Sequence, residues 1–576
     1  MTPITKVKLK KKRFGFAPAI AMAILVSTGA FAQKDLPLNP AITDALYLID
    51  VEKPKQGIGE LEKIAAATPT DASLQYYVGY GYLKIKDKEK AKAAFEKGAA
   101  MDEKQALNFV GLGYINMLDK KPAEAKVQFD KALGMTKSKS VAVLKAVAEA
   151  YNVDNKYSVE SVALLNKAKA INPNDPDVHL LLGDTYLIQN VGGNVGTTIS
   201  AYEMAERCVV PNAKQKSHFD GKAEYKCGAV FEKAKNAEVA VEHYEKAIKF
   251  DPEYTPAYRE LAQQLYLNKQ AARAVEIHDK FLSLTENPEN PTYQFEKAFY
   301  LFMAKDYVQA NQIFEKIAYA PDVKPITLRF YSKSLYEVGE YEKSRGFFEK
   351  YMAVAKPEEI ESGDYLYYGR TLSKLKQDSL SLVYFQKSYD MNKSQGDLAL
   401  EIANTYYKMK KFPQAIAAYQ ELMRARKTPS AQDYYMIGQA FYNNDQIAAA
   451  DTTFKKFQQM KPELVEGYYW LANVEYKKEE ANKTEGSAKP AFDKLLEVAT
   501  AAAATDPVKN KKYLVAAYGY LGYYWYAKSE AFKAKDMYTK LAAVDPGNKQ
   551  AADALKTLDA AIKQAQNPQK AKPKNK

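Results

Sequence analysis

The feature that most constrains this chain is a pattern of small and aromatic residues that returns about every 34 residues, a period characteristic of helical-repeat architectures. The clearest copy starts at Gly79, with Tyr82 at +3, Ala91 at +12, Phe95 at +16 and Gly98 at +19. Gly228, Phe231, Ala240, Tyr244 and Ala247 keep these intervals and are followed by Pro252. So do Gly438, Phe441, Ala450, Phe454 and Phe457 before Pro462, and Gly522, Trp525, Ala534, Tyr538 and Leu541 before Pro546. Looser copies pass through Gly113 and Phe129, Gly183 and Tyr202, Gly369 and Phe385, and Ala403 and Tyr419, with Asn116 or Glu475 where an aromatic residue is usual. A chain of 576 residues is too long for one hydrophobic core, and a repeat array avoids that limit because each unit buries its flank on the next.

The pattern has a packing rationale. Small residues allow two helices to cross closely while the large ones fill the space beside the crossing. Pro252, Pro462 and Pro546 stand where a second helix has to end, because proline lacks an amide donor and cannot continue it. In residue types and spacing the pattern resembles the tetratricopeptide repeat. The resemblance implies an all-α fold, an α-solenoid superhelix of about fourteen tandem helix-turn-helix units. The array is expected over residues 41–562, with right-handed coiling. Three interruptions, at 190–196, 211–221 and 477–489, are expected to project as loops. The Lys- and Pro-rich stretch 563–576 is expected to be disordered.

The first 32 residues read as an export signal. A basic stretch from Lys6 to Arg13 precedes an apolar run from Phe14 to Phe31 and a small-residue exit at Ala30 and Ala32, so cleavage is expected between Ala32 and Gln33. Retention of this segment as a membrane anchor is the alternative, and no later segment is apolar enough to span a bilayer. The formal charge of +13 shrinks once it is located: six positive charges lie in the signal and five in the tail, leaving +2 for the body. A near-neutral body of mixed charge is a solvated surface, which argues against nucleic acid as a partner.

Catalytic and cofactor chemistry finds little support. The glycines around Gly192 lack the Gly-Lys-Ser/Thr ending and the preceding strand of a phosphate loop. His179, His218, His243 and His278 are too far apart in sequence for a helical zinc pair,, and no nucleophile motif is visible. No enzyme activity, cofactor or metal is expected. Cys208 and Cys227 fall on neighbouring helices, and the exported compartment permits a disulfide between them; two buried thiols are the competing expectation.

The resemblance also places the first helix of each unit on the inner groove, where side chains one turn apart meet a bound peptide. Counted along this chain, those positions are Arg329, Lys333 and Tyr336; Arg370 and Lys374; Asn404, Tyr407 and Lys408; and Tyr435, Gln439, Tyr442 and Asn443. Basic, amide and phenolic groups on successive helices suit an acidic segment or a carboxylate. With 44 Tyr against 24 Phe and 2 Trp, most tyrosines are expected in a thin, half-exposed core, while Tyr76, Tyr80, Tyr523 and Tyr526 are candidates for stacking on peptide or glycan. The expected function is therefore a periplasmic, non-catalytic scaffold that binds proteins of the cell envelope. Glycan binding in cell-wall or polysaccharide assembly is the alternative.

Overall fold

The computed structural model describes residues 38–189, 195–392, 396–426 and 428–566. Among these residues there are 29 α-helices and no strand. The chain divides into two compact units, at 1–304 and 305–576.

In the first unit the helices are α1 (Pro40–Asp50), α2 (Pro54–Ala67), α3 (Ala72–Lys84), α4 (Lys88–Met101), α5 (Ala106–Leu118), α6 (Pro122–Met135), α7 (Val141–Tyr151), α8 (Ser158–Ile171), α9 (Pro176–Gln189), α10 (Gly196–Glu206), α11 (Ala213–Lys233), α12 (Ala237–Phe250), α13 (Thr255–Leu267), α14 (Ala271–Leu284) and α15 (Pro291–Met303). They form seven hairpin pairs, α1–α2 to α13–α14, each stacked on the next, with α15 packed on α14. First helices of neighbouring pairs also touch, as α3 does α5 and α5 does α7.

The second unit holds α16 (Tyr307–Ile317), α17 (Pro325–Glu337), α18 (Tyr341–Val354), α19 (Ser362–Lys374), α20 (Asp378–Met391), α21 (Gly396–Lys408), α22 (Phe412–Ala425), α23 (Ala431–Asn443), α24 (Ile447–Met460), α25 (Val465–Asn482), α26 (Lys489–Ala503), α27 (Pro507–Ala527), α28 (Ala531–Val544) and α29 (Lys549–Gln566). Helix α16 lies on α17, six pairs follow from α17–α18 to α27–α28, and α29 packs on α28. Both units are all-α solenoids in which contacts run from one pair to the next.

The small residues of the sequence pattern sit where two helices cross. A methyl group on Gly228 would lie 2.7 Å from the Tyr244 ring, and one on Gly438 would lie 2.7 Å from Phe454. Gly79 meets Phe95 in the same way, and Phe95, Phe385 and Phe454 are fully buried. Pro252, Pro462 and Pro546 each follow the last residue of α12, α24 and α28 by two positions. The tight turns inside the pairs share a second device. Their second residue is left-handed, and in six of the described turns it is a lysine: Lys86, Lys120, Lys235, Lys269, Lys376 and Lys410, with φ between 57° and 63°. At Lys86 the reversal is a Schellman motif, Asp87 N–H donating to Tyr82 O at 3.0 Å and Lys86 N–H to Leu83 O at 2.9 Å. Glycine is the usual residue there.

The first unit also closes on itself. The Tyr47 hydroxyl on α1 donates to Asp251 Oδ1 at 3.1 Å and to Glu253 Oε2 at 3.3 Å, just past α12. At the N-terminus of α2 the backbone N–H groups of Lys55 and Gln56 donate to the Glu286 carboxylate at 3.0 and 2.8 Å, the charge arrangement that a helix start favours. Val51 is fully buried against Ala247, Tyr254 and Ala257. The first pair is thereby joined to the sixth and seventh.

Two expected loops are largely helical. Residues 213–221 form the opening turns of α11, capped by Asn212, whose side chain accepts from Gln215 N–H at 3.0 Å. Polar composition suggests a connector there, but one face of the stretch buries His218, Asp220 and Gly221. In the 477–489 stretch α25 continues to Asn482, leaving only 483–488 between helices. Likewise α29 reaches Gln566 and includes Lys563. The signal with its Ala32–Gln33 junction, residues 190–194 of the first interruption and the tail from 567 lie outside the described residues.

Candidate functional site

In the second unit the first helices do carry the basic, amide and phenolic residues, but the structure divides them into two sets. Arg329 and Lys333 on α17 are 8% and 7% exposed and converge on Asp364, which is fully buried at the start of α19. Arg329 Nε lies 2.7 Å and Lys333 Nζ 2.6 Å from Asp364 Oδ1. Asp364 Oδ2 accepts from the Tyr351 hydroxyl at 3.1 Å and from Glu361 N–H at 2.8 Å, and Arg329 also reaches Glu361. Burial outweighs the attraction of Asp364 and holds the Lys333 ammonium below its ordinary pKa. The expected anion receptor at Arg329 and Lys333 is thus corrected: its carboxylate comes from the next repeat, and the cluster is a structural joint.

The other set remains accessible. Lys374 and Lys408 are exposed; Lys408 Nζ lies 3.4 Å from Ser373 Oγ, and Lys374 sits over the Tyr341 ring at 5.9 Å. Arg370, half-buried, pairs with Glu401 at 2.9 Å. Asn443 Nδ2 donates to the Tyr407 hydroxyl at 2.8 Å, linking α23 to α21. Asn404 accepts from the Tyr419 hydroxyl at 2.6 Å, Tyr336 meets Tyr367 edge-on at 5.5 Å, and Tyr442 meets Trp470 at 5.2 Å. Tyr435 packs on Phe457 beside half-buried Gln439. The result is a polar face on α19, α21 and α23 whose side chains brace one another across repeats.

A second constellation, which the sequence pattern does not single out, lies in the first unit. The lining of a cavity of about 400 Å³ combines apolar groups of Leu38, Leu46, Tyr47 and Phe219 with the charged groups of Asp44, Asp50, Lys145, Asp177, Lys214 and Lys222. Lys145 Nζ bonds Asp175 at 2.9 Å and Asp177 at 3.3 Å; Lys222 Nζ bonds Asp50 at 2.5 Å. His218 bridges, its Nδ1 3.0 Å from Asp251 and its Nε2 3.4 Å from Asp50. Burial alone would raise the Asp50 carboxyl, but Lys222 and His218 outweigh it and hold the pKa far below the carboxylate range. Burial likewise opposes the Lys145 and Lys222 ammoniums, and their aspartates overcome it and raise both. Asp177, desolvated in the same way, is lowered by Lys145 and Lys222. These four groups therefore stay charged at neutral pH. Nearby, Lys84 pairs with Glu149 at 2.9 Å and Lys226 with Asp184 at 2.7 Å. A sequence signal existed: Tyr80 and Asp184 directly follow Gly79 and Gly183 as Arg370 follows Gly369, and Lys84 stands five past Gly79 as Lys374 stands five past Gly369.

The cysteines are two free, buried thiols, the second of the two expectations. Cys208 Sγ lies 3.3 Å from the Met204 carbonyl, one turn back, and Cys227 is packed with Leu180, Tyr202 and Ala205. Burial raises the pKa of both thiols. Tyr76 is buried against Phe95, and the half-buried Tyr80 ring stacks on Tyr76 at 6.2 Å with the Lys84 ammonium 4.6 Å from its centre; Tyr523 and Tyr526 are about half exposed. The histidines have separate structural partners, as His179 with Pro173 O at 2.8 Å and His278 with Tyr293 O at 3.0 Å. Among the described residues no His, Cys, Asp and Glu cluster could hold a metal, and no helix is long and apolar enough to cross a membrane.

A family model described as tetratricopeptide repeat matches residues 400–450, from within α21 through α22 and α23 to the start of α24. The C-terminal part of a TPR repeat-containing protein from Cytophaga hutchinsonii is 30% identical; the match covers 45% of this chain and 99% of that one, with a TM-score of 0.40. A tetratricopeptide repeat protein from Parabacteroides merdae is 15% identical over 44% of this chain and 98% of its own, at a TM-score of 0.32. YrrB, described as a TPR protein with an unusual peptide-binding site, is 18% identical over 36% of this chain and 97% of its own, at 0.28. No curated protein matches the chain.

Proposed function

This chain belongs to the tetratricopeptide repeat proteins, and from that premise we propose that it is a non-catalytic scaffold of the bacterial cell envelope, holding peptide segments of partner proteins along the first helices of its second unit. Protein–protein interaction is the general role that the repeat fold supports. The envelope setting rests on the basic stretch, apolar run and Ala32 exit of the N-terminal sequence,.

The observation that carries the peptide reading is the braced polar face on α19, α21 and α23. Lys374, Lys408 and Asn443 stand exposed on consecutive first helices beside half-buried Tyr407, and the Asn443–Tyr407 bond fixes two of those helices relative to one another. A cationic, hydrogen-bonding strip of this kind suits an extended segment rich in carboxylates, and several shallow contacts in series give avidity without a deep pocket. Arg329 and Lys333 take no direct part, since Asp364 and Glu361 already pair with them.

The test is in-cell photocrosslinking from positions 374, 408 and 443 of the exported protein, followed by mass spectrometry of the captured chains. The expected result is a defined set of envelope proteins, captured less well by Lys374→Ala with Lys408→Ala. Unchanged capture by that double variant, or no protein crosslink at all three positions, refutes the reading.

A further inference from the structure

We propose that the cavity of the first unit is a binding site for a small zwitterion, a molecule carrying both an ammonium and a carboxylate, such as a free amino acid or a dipeptide. The site is separate from the second-unit face and stands or falls independently of it.

The cavity has the size of a small-ligand pocket, about 400 Å³, within the range of about 300–1,000 Å³ usual for such sites. Its charges are unevenly satisfied. Lys145 has three carboxylate contacts. Among the described residues, Asp50 Oδ1 and Asp177 Oδ1 accept no hydrogen bond, Lys222 has Asp50 alone, and Lys214 has only the Tyr47 ring at 4.7 Å. The acids are open to the cavity: the Asp177 side chain is 42% and that of Asp50 31% exposed, although protein surrounds them. Unused acceptors and unused donors therefore face the same space.

That combination selects by charge pattern. A simple anion meets Lys222 and Lys214 but is repelled by Asp50 and Asp177; a simple cation meets the reverse. Inside a protein-walled cavity, where the effective dielectric is well below that of water, each such contact counts strongly with either sign. A ligand bearing both charges meets a complementary group at each end: its carboxylate at Lys214 and Lys222, its ammonium at Asp177 and Asp50. Leu46 and Phe219, which line the same cavity, accept an apolar side chain, which makes leucine, phenylalanine and their dipeptides the best probes.

Calorimetric titration of the purified full chain with leucine, phenylalanine and leucyl-leucine tests this, alongside N-acetyl-leucine and leucine amide, which each keep one charge. At least one zwitterion is expected to bind, and whether the amino acid or the dipeptide binds more tightly identifies the source. Each single-charge analogue is expected to bind about tenfold more weakly or worse. Asp177→Asn and Lys214→Gln are expected to weaken the zwitterion to a similar degree; Lys145 keeps Asp175 in the first variant, and among the described residues Lys214 makes no ion pair. The absence of heat with every zwitterion overturns the proposal. So does equal binding of the single-charge analogues, a comparison that requires no variant.

Discussion

Replacing Asp364 by Ala tests the most consequential polar contact in the second unit. The carboxylate is fully buried and accepts from Arg329, Lys333, Tyr351 and the Glu361 backbone. Its removal strands Lys333 and leaves Arg329 with Glu361 alone, and both cations are less than a tenth exposed. Breaking a buried ion pair from one side costs about 3–5 kcal/mol; here Lys333 loses its counter-charge while Arg329 keeps Glu361, so a cost within that range is expected. With a urea dependence of about 2 kcal/mol per M, the transition reporting on α17 to α20 should move down by about 1.5–2.5 M. Hydrogen exchange read by mass spectrometry on peptides from these helices measures that transition locally, which matters because a repeat array need not unfold in one step. Arg370→Ala is the control: it breaks a partly exposed pair with Glu401 and should cost about 1 kcal/mol or less. If Asp364→Ala shifts exchange no more than Arg370→Ala, the joint is not the buried ionic cluster described above.

Gly228→Ala places a methyl group against Tyr244 and should destabilise its pair by about 1–3 kcal/mol, seen as a lower denaturation midpoint; an unchanged midpoint refutes the close crossing. Lys86→Gly relieves a left-handed lysine and should be neutral or stabilising by up to about 1 kcal/mol, whereas a clear loss contradicts the turn geometry. Burial, then Glu224 for Glu206 and Glu232 for Glu260, raises both carboxyls to about 7. An acid raised in the folded state binds extra protons there, so first-unit stability should fall as pH rises from about 4.5 to about 7, and Glu206→Gln with Glu260→Gln should flatten that slope in melts across the window. Alkylation of denatured, unreduced protein should label both Cys208 and Cys227, while native labelling is slow; one unlabelled pair would restore the disulfide.

The fold was legible because the repeat pattern is a direct image of packing: Gly228 and Tyr244 are recognisable sixteen residues apart because they touch. Helix ends were less legible. The polar stretch before Gly221 reads as a loop, since composition does not reveal that its residues extend a helix whose buried face carries His218 and Asp220. The second-unit face follows from counting positions, yet the count cannot tell which of the basic side chains are free: Lys374 is exposed while Lys333 is buried, and the difference lies in Asp364, which belongs to another repeat. The first-unit cavity escapes the sequence for the same reason. Its residues come mainly from α1, α3, α7, α9 and α11, and only the closure of the unit brings α1 to α11.

That closure changes how the first unit responds to heat. In an open stack each pair has only its neighbours, so loss begins at an end and travels inward, with little cooperativity across the array. The contacts of Glu286 with Lys55 and Gln56, and of Tyr47 with Asp251, span more than 200 residues of sequence and turn the row into a ring. A ring has no fraying end until that seam opens. Its first pair gains partners on a second side, completion of the ring waits on a distant contact that local helices cannot supply, and cutting the seam, for example by Glu286→Ala, returns the unit to melting from one edge.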